Sequence, residues 1–178
     1  IRHDADFFNA KPDDPKPESQ WYTLCLNTGY HDLMMAQVKE LCEMYPVDGL
    51  WFDIYTTRQP CYCDNCLKDM QAQNISPDDL DAVIEFRAQV IKNHQKAMTE
   101  LITHYHPDAG IYFNGTTAIF TPQNFVYDMY EYNTFQDLED LPTTDWCDYD
   151  RLPLQSKYFL NLGYPVTAMS GKFHKSWG

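Results

Sequence analysis

The run Gly49-Leu50-Trp51-Phe52-Asp53-Ile54-Tyr55 is followed, after a short polar gap, by Cys61-Tyr62-Cys63-Asp64-Asn65-Cys66. Its first part is apolar and aromatic, with the length and composition of a β-strand. One ionisable residue, Asp53, lies near the C-terminal end of that strand. Three cysteines then follow in C-x-C-x-x-C spacing, which suits a metal ion better than it suits packing. These residues predict a strand that ends at a carboxylate and leads into a cluster of thiolates.

The segments on either side predict an α/β fold. Strands are expected at residues 21–26, 49–55, 110–114, 127–134 and 166–170, and helices at 32–45, 77–106 and 154–162. A strand, a helix and a further strand in succession predict parallel strands. A polar residue lies at the C-terminal end of each predicted strand. Catalytic groups collect at that end of a (β/α)₈ barrel, and a doubly wound sheet would also place its site there. The sequence has no glycine-rich phosphate loop, which disfavours a nucleotide-binding sheet.

The composition is that of a folded, acidic protein. The chain has 178 residues, of which 44% are hydrophobic, and we expect residues 1–178 to belong to a single catalytic domain. The net charge of −13 disfavours binding to nucleic acid or to an anionic membrane. With no apolar run of transmembrane length and no signal peptide, a cytoplasmic location is expected. Because the first residue is Ile, we expect the chain to be a piece of a longer protein.

The cysteines predict a closed metal site. The C-x-C-x-x-C spacing can place three sulfurs around one tetrahedral ion, and a structural site needs a fourth ligand. Cys25 ends the preceding predicted strand, on the same side as the loop after Asp53, and is the natural fourth ligand. Cys42 on an apolar helix face and Cys147 in a loop are poorer choices. Buried free thiols or a disulfide pair are the alternatives.

Carboxylates supply the second kind of chemistry. A carboxylate inside an apolar strand is costly to bury unless it is paired or functional. Asp53 is therefore a nucleophile, a general base or an acceptor of hydrogen bonds from loop amides. Glycoside hydrolysis needs a second carboxyl group across the scissile bond, and Glu131, Asp137 and Glu139 are the candidates. Aromatic residues near predicted strand ends could stack on sugar rings.

Several segments together resemble the "hypothetical glycosyl hydrolase 6" group, whose members are relatives of α-L-fucosidases and often carry a β-galactosidase-type trimerisation domain. The resemblance is carried by the residues quoted above and by residues 24–30, 113–115, 141–146 and 171–178. It spans nearly the whole chain. Its most specific part is the closing segment Gly171-Lys172-Phe173-His174-Lys175-Ser176-Trp177-Gly178.

This resemblance implies a (β/α)₈ barrel of the glycosidase type, with strands three to seven present, and a retaining mechanism. Asp53 would end the fourth strand, where family-29 fucosidases keep their nucleophile. The family usually reads Glu-x-Glu before the Leu-Pro that is here Leu141-Pro142, and Glu139 alone keeps that residue type. Glu139 is thus the first choice for the acid/base and Glu131 the second. The cysteines occupy the places of the zinc cluster of family-42 β-galactosidases.

The expected function is a retaining glycoside hydrolase, fucosidase-like or β-galactosidase-like, that cleaves a terminal sugar from a glycoside, oligosaccharide or polysaccharide. A structural Zn²⁺ is expected on Cys25, Cys61, Cys63 and Cys66. Sugar contacts are expected from Asn27, Asn114, Trp146, His174 and Trp177. The full-length protein is expected to form a homo-oligomer. The alternative is a non-catalytic, zinc-stabilised carbohydrate-binding or degenerate barrel domain. The presence of Asp137, where the family usually has Glu, would favour this alternative.

Overall fold

The computed structural model describes residues 24–55, 60–119, 127–140 and 150–170. The helices and strands in these ranges are, in chain order, α1 (Gly29–Met44), β1 (Gly49–Phe52), α2 (Asp64–Ala72), α3 (Leu80–Tyr105), β2 (Gly110–Phe113), β3 (Gln136–Asp140), α4 (Arg151–Asn161) and β4 (Val166–Ser170). The chain divides into two compact units. The first is Ile1–Asp48 with Thr56–Ala109, and the second is Gly49–Tyr55 with Gly110–Gly178.

The first unit is helical, and α1 packs against α3 within it. Both helices begin where a side chain accepts a hydrogen bond from the first turn. The hydroxyl of Thr28 caps α1, and the carboxylate of Asp79 caps α3. The predicted starts, at residues 32 and 77, were therefore each wrong by three residues. None of the helices in the described ranges is long and apolar enough to cross a membrane.

The second unit contains two pairs of parallel strands. β1 pairs with β2, starting with Gly49 opposite Gly110, and β3 pairs with β4, starting with Gln136 opposite Val166. A Cβ on Gly49 would lie 2.6 Å from the carbonyl oxygen of Gly110. The two backbones approach so closely at this point that only glycine fits there.

The residues that lead into β3 bond to β2 and so connect the two pairs. The N–H of Thr134 donates to the carbonyl of Ile111 at 2.9 Å, and the Oδ1 of Asn133 accepts from the N–H of Phe113 at 3.0 Å. The contacts between strands therefore follow chain order from β1 to β4. A doubly wound sheet would reverse this order at its switch point. The described strands do not form a closed barrel.

The strand predicted at residues 127–134 was wrong. Residues 127–132 form turns, and the strand follows them as β3. Asp128 has a φ of 46°, and its carbonyl accepts a turn hydrogen bond from the N–H of Glu131 at 2.9 Å. The aromatic residues of this segment serve packing instead, because Tyr130 is buried with Leu138 and Phe159 in the core of the second unit.

The remaining elements agree with the sequence more closely. The helix predicted at residues 154–162 is confirmed as α4, and Gly163 closes it with a φ of 87°. Of the strand predicted at residues 21–26, only Leu24–Leu26 lie in the described ranges, and these residues are not in a strand.

Candidate active site and cysteine cluster

A single amide nitrogen bridges two carboxylates in the second unit. Asn114 directly follows β2, and its Nδ2 donates to Oδ1 of Asp53 at 2.9 Å and to Oε2 of Glu139 at 3.3 Å. Because both oxygens accept from one nitrogen, they lie no more than about 6.2 Å apart. The site thus brings together Asp53, the predicted nucleophile, and Glu139, the first choice for the acid/base.

The orientation of the Asn114 amide is fixed by the other half of its hydrogen-bond network. Its Oδ1 accepts from the N–H of Gly115 at 2.8 Å and from the hydroxyl of Tyr112 at 3.4 Å. The Tyr112 hydroxyl also bonds to Oγ1 of Thr117 at 2.9 Å. Since Oδ1 already has two donors, the amide must direct Nδ2 at the carboxylates.

Tyr112 remains a hydrogen-bond donor at neutral pH. Burial raises the pKa of its phenol above the usual value, and three neighbouring carboxylates raise that pKa further, those of Asp137, Glu139 and Asp53. The protonated hydroxyl can therefore support the Asn114 amide over the whole physiological range.

A bulge at the end of β1 directs Asp53 toward this amide. The N–H of Asn114 donates to the carbonyl of Phe52 at 2.7 Å, as in a regular parallel ladder, but its carbonyl accepts from Tyr55 at 2.7 Å. A regular ladder would use the N–H one residue earlier. The extra residue, Ile54, has a φ of 58°, which is strained for a β-branched side chain. Such bulges re-aim side chains beside functional sites.

A second layer of side chains lies below the two acids on the same strands. Both oxygens of Asp137 are occupied, because Oδ2 accepts from the indole of Trp51 at 3.2 Å and Oδ1 accepts from the hydroxyl of Thr167 at 2.9 Å. The Trp51 ring is 42% exposed and contacts the ring of Tyr112, with centroids 5.8 Å apart. Asp137 therefore connects β1, β3 and β4 and is a structural acid rather than a free one.

The first unit contains a cluster of four buried cysteines, Cys25, Cys61, Cys63 and Cys66, whose sulfur atoms all lie within 4.8 Å of one another. The sulfurs of Cys25 and Cys66 are 3.5 Å apart, well beyond the ~2.05 Å of a disulfide bond. Zinc–sulfur bonds of ~2.3 Å in a tetrahedral site place the sulfurs about 3.8 Å apart. The cluster could therefore hold a metal ion, with Cys25 as the fourth member.

Several N–H groups point at the sulfurs. The backbone N–H of Asn27 lies 3.4 Å from Sγ of Cys25, and its Nδ2 donates to Asp69 at 2.8 Å and to Cys66 at 3.8 Å. Nη1 of Arg87 lies 3.9 Å from Sγ of Cys25. Hydrogen bonds from the three other cysteines, together with the Arg87 charge, hold the pKa of Cys25 well below the usual thiol value, while bonds to Cys25 raise the pKa of Cys61 and of Cys66. A thiolate is the form that binds a metal.

The other predicted site residues have different positions. Glu131 is exposed in the turn at residues 127–132 and is not part of the strand that carries Glu139. Asn27 lies beside the cysteines, with its side chain bonded to Asp69 and Cys66. Three predicted sugar contacts lie outside the described residues, namely Trp146, His174 and Trp177.

The sequence did not predict that Asp137, a candidate for the second acid, and the aromatic residues Trp51 and Tyr112 form a layer beside the predicted site residues. Trp51, Tyr112 and Asp137 each stand two positions before one of the predicted residues Asp53, Asn114 and Glu139. Alternate residues of a strand share a face, so this spacing is the signal that could have found them. Arg87 lies on a helix and gave no such signal.

A cavity of about 530 Å³ in the first unit is lined by apolar, amide and imidazole side chains, among them those of Asn27, Asn65, His31 and His94. The Nδ1 atoms of the two histidines are 2.8 Å apart. Burial lowers the pKa of His94 to about 4, and the charge of His31 contributes to the shift. The lining contains no carboxylate, so it has no pair of acids for hydrolysis.

Comparison with known proteins gives one informative similarity. No protein-family model matches the chain, and no curated protein sequence matches it. The structure of α-L-fucosidase isoenzyme 2 from Paenibacillus thiaminolyticus is 31% identical and covers 98% of this chain, with a TM-score of 0.79. The chain spans 26% of the length of that fucosidase. The similarity supports a relationship to fucosidase-like glycoside hydrolases.

Proposed function

We propose that this chain is the catalytic part of a retaining glycoside hydrolase that cleaves a terminal sugar, as an α-L-fucosidase does. The observation that carries the proposal is the Asn114 amide that bonds to both Asp53 and Glu139. The facing oxygens of the two acids lie within about 6.2 Å of each other, which is compatible with the ~5–5.5 Å between the carboxyl groups of retaining enzymes. The similarity to a fucosidase supports the same reaction class.

In the proposed reaction the two acids have different roles. The exposed carboxylate of Asp53 attacks the anomeric carbon while Glu139 gives its proton to the leaving oxygen, so the glycosidic bond breaks as the ester to Asp53 forms. Water then attacks the same carbon and gives a proton to Glu139, and the ester is released. Asn114 positions both carboxyl groups during the two steps.

The strands support a barrel as the setting for this site. Parallel strands whose contacts follow chain order are typical of consecutive strands of a (β/α)₈ barrel, and the acids lie at or next to the C-terminal ends of β1 and β3. We therefore propose that residues 1–178 belong to one barrel domain. Oligomer formation by the full-length protein stays a prediction.

We further propose that the cysteine cluster binds a structural Zn²⁺. The tetrahedral fit of four buried sulfurs and the N–H groups around them support zinc. When bound, the ion would cross-link the segment at Cys25 to the Cys61–Cys66 loop. Four thiolates leave no open coordination position, so the ion would take no part in hydrolysis.

The test begins with the full-length protein and a panel of aryl glycosides that includes α-L-fucosides and β-galactosides. Asp53→Ala is expected to lower kcat by about a thousandfold or more, because the nucleophile is lost. Glu139→Ala should lose activity on substrates with poor leaving groups and retain it on activated ones. Azide should restore turnover in both variants, with an inverted glycosyl azide from Asp53→Ala and a retained one from Glu139→Ala.

Glu131→Ala is the matched control, because this exposed acid lies in a turn and should leave kcat unchanged. An Asp53→Ala variant with the wild-type rate would refute the proposed nucleophile. If Glu131→Ala shows the leaving-group dependence instead, the assignment of Glu139 fails. A wild-type protein that binds sugars without turnover would favour the non-catalytic barrel.

A further inference from the structure

We propose that Arg87 is a positioning residue of the cysteine cluster, whose buried positive charge stabilises the four thiolates and sets their affinity for the metal ion. This inference rests on the proposed zinc site and concerns a residue outside the ligand set.

The first observation is the burial of Arg87. Its side chain is on α3 and only 4% exposed, its Nη1 lies 3.9 Å from Sγ of Cys25, and its Nε is buried without a hydrogen-bond partner. In the described part of the chain, no ion pair to this guanidinium is found. A buried cation without an anion is strongly disfavoured, so the thiolates are its counter-charge.

The second observation is the charge of the cluster itself. Four thiolates around one divalent ion carry a net charge of about −2, which is costly to bury without a nearby cation. The positive charge of Arg87 offsets part of that charge. The two N–H groups of Asn27 that face Cys25 and Cys66 add hydrogen bonds to the sulfurs. Such outer contacts typically change metal affinity by 10- to 100-fold.

The third observation is that Arg87 lies on a helix that packs against the cysteines. Val83 and Phe86, on the same helix, are buried in one core cluster with Cys25, Cys61, Cys63 and Cys66. Arg87 thus lies on a helix that packs against the cysteines, and its side chain is buried, whereas most arginines extend the guanidinium into solvent. The site therefore joins three segments, namely the residues at Cys25, the segment Cys61–Cys66 at the start of α2, and α3.

The experiment measures zinc affinity of the purified full-length protein by competition with a chromogenic chelator, together with the sulfur-to-metal charge-transfer spectrum of the Co²⁺ form. Arg87→Met keeps the volume of the side chain and removes its charge, and it is expected to weaken zinc binding by about 10- to 100-fold. Arg87→Lys keeps the charge and should lie between Arg87→Met and the wild type. Lys96→Met, on an exposed position of the same helix, is the control and should not change the affinity.

The outcomes separate the two proposals. A wild-type chain that binds one zinc ion, with the same affinity in Arg87→Met, would overturn the role of Arg87 and leave the zinc site standing. A loss of affinity in Lys96→Met equal to that in Arg87→Met would overturn the role as well. A wild-type chain that binds no metal would overturn both. If Arg87→Met does not fold, Arg87→Gln removes the charge in its place, and a wild-type zinc affinity in Arg87→Gln would refute the inference.

Discussion

Replacing Asn114 by alanine tests the geometry of the proposed active site. The substitution removes the Nδ2 donor that bonds to Asp53 and Glu139, and it removes the acceptor of the Gly115 N–H and of the Tyr112 hydroxyl. Without the amide, two carboxyl groups whose facing oxygens lie within about 6.2 Å have no donor between them and are free to move apart. We expect kcat to fall strongly and KM to change little, because the lost contacts are to catalytic groups.

The size of the effect follows from the two bonds to carboxylates. A hydrogen bond to a charged group is worth ~1.5–3 kcal/mol, and a misplacement of ~1 Å at a reacting group can cost ~10²-fold in rate. A loss of about 10²–10³-fold in kcat is therefore expected, equal to about 2.7–4 kcal/mol in activation free energy. Asn114→Asp should be at least as impaired, since it keeps the shape but adds a third carboxylate.

The assay is steady-state hydrolysis of an activated aryl glycoside at saturating substrate, with the free energy of unfolding measured in parallel. Asn133→Ala is the matched control, because this buried asparagine also loses several hydrogen bonds, to Phe113, Thr116 and Gln136, but contacts neither acid. The reasoning is refuted if Asn114→Ala keeps a kcat within threefold of the wild type, or if Asn133→Ala loses the same activity at the same loss of stability.

Three further changes test the surroundings of the site and the helical unit. Ile54→Gly should raise the free energy of unfolding by about 1 kcal/mol, seen as a higher Tm, because its φ of 58° is unstrained for glycine; Ile54→Ala should not. Asp137→Asn keeps only one acceptor for the two groups that Trp51 and Thr167 donate, so stability should fall by about 1–2 kcal/mol while kcat falls less than tenfold. A larger loss of kcat would show that this acid takes part in the chemistry. Burial lowers the pKa of His94 to about 4, so between pH 6.5 and 4 the unfolded chain binds a proton that the folded chain does not. The free energy of unfolding therefore decreases as the pH is lowered through this range. Denaturant unfolding at pH 7 and 4.5 should show a loss about 2–3 kcal/mol larger in the wild type than in His94→Gln, and equal losses would contradict the assignment.

The features that the sequence predicted well depend on local chemistry. A run of apolar and aromatic residues from Gly49 forms β1 because its composition suits a strand, and Asp53 follows it at the exposed end. The cysteine cluster could be predicted because thiolates at that spacing have few other uses, and Cys25 joins the cluster as expected.

The features that the sequence did not predict depend on contacts between distant segments. The aromatic run around Tyr130 has strand composition, but this segment forms turns in which the Tyr130 ring packs against the Phe159 ring, with centroids 5.0 Å apart. The strand β3 therefore begins only at Gln136. Glu139 consequently lies in a strand and not in a loop. The bridging role of Asn114 requires three strands to be in register, which no local pattern encodes. Arg87 was missed because an arginine in a helix usually faces solvent.

The central claim is that Asp53 is the nucleophile of a retaining glycosidase, and covalent trapping tests it most directly. The full-length protein would be incubated with the 2-deoxy-2-fluoro glycosyl fluoride of the sugar that the aryl glycoside panel identifies, and the labelled peptide located by mass spectrometry. The account predicts one glycosyl adduct on the carboxylate of Asp53, with its formation slowed in Asn114→Ala. An adduct on a different residue, or a first hydrolysis product of inverted anomeric configuration, would contradict it.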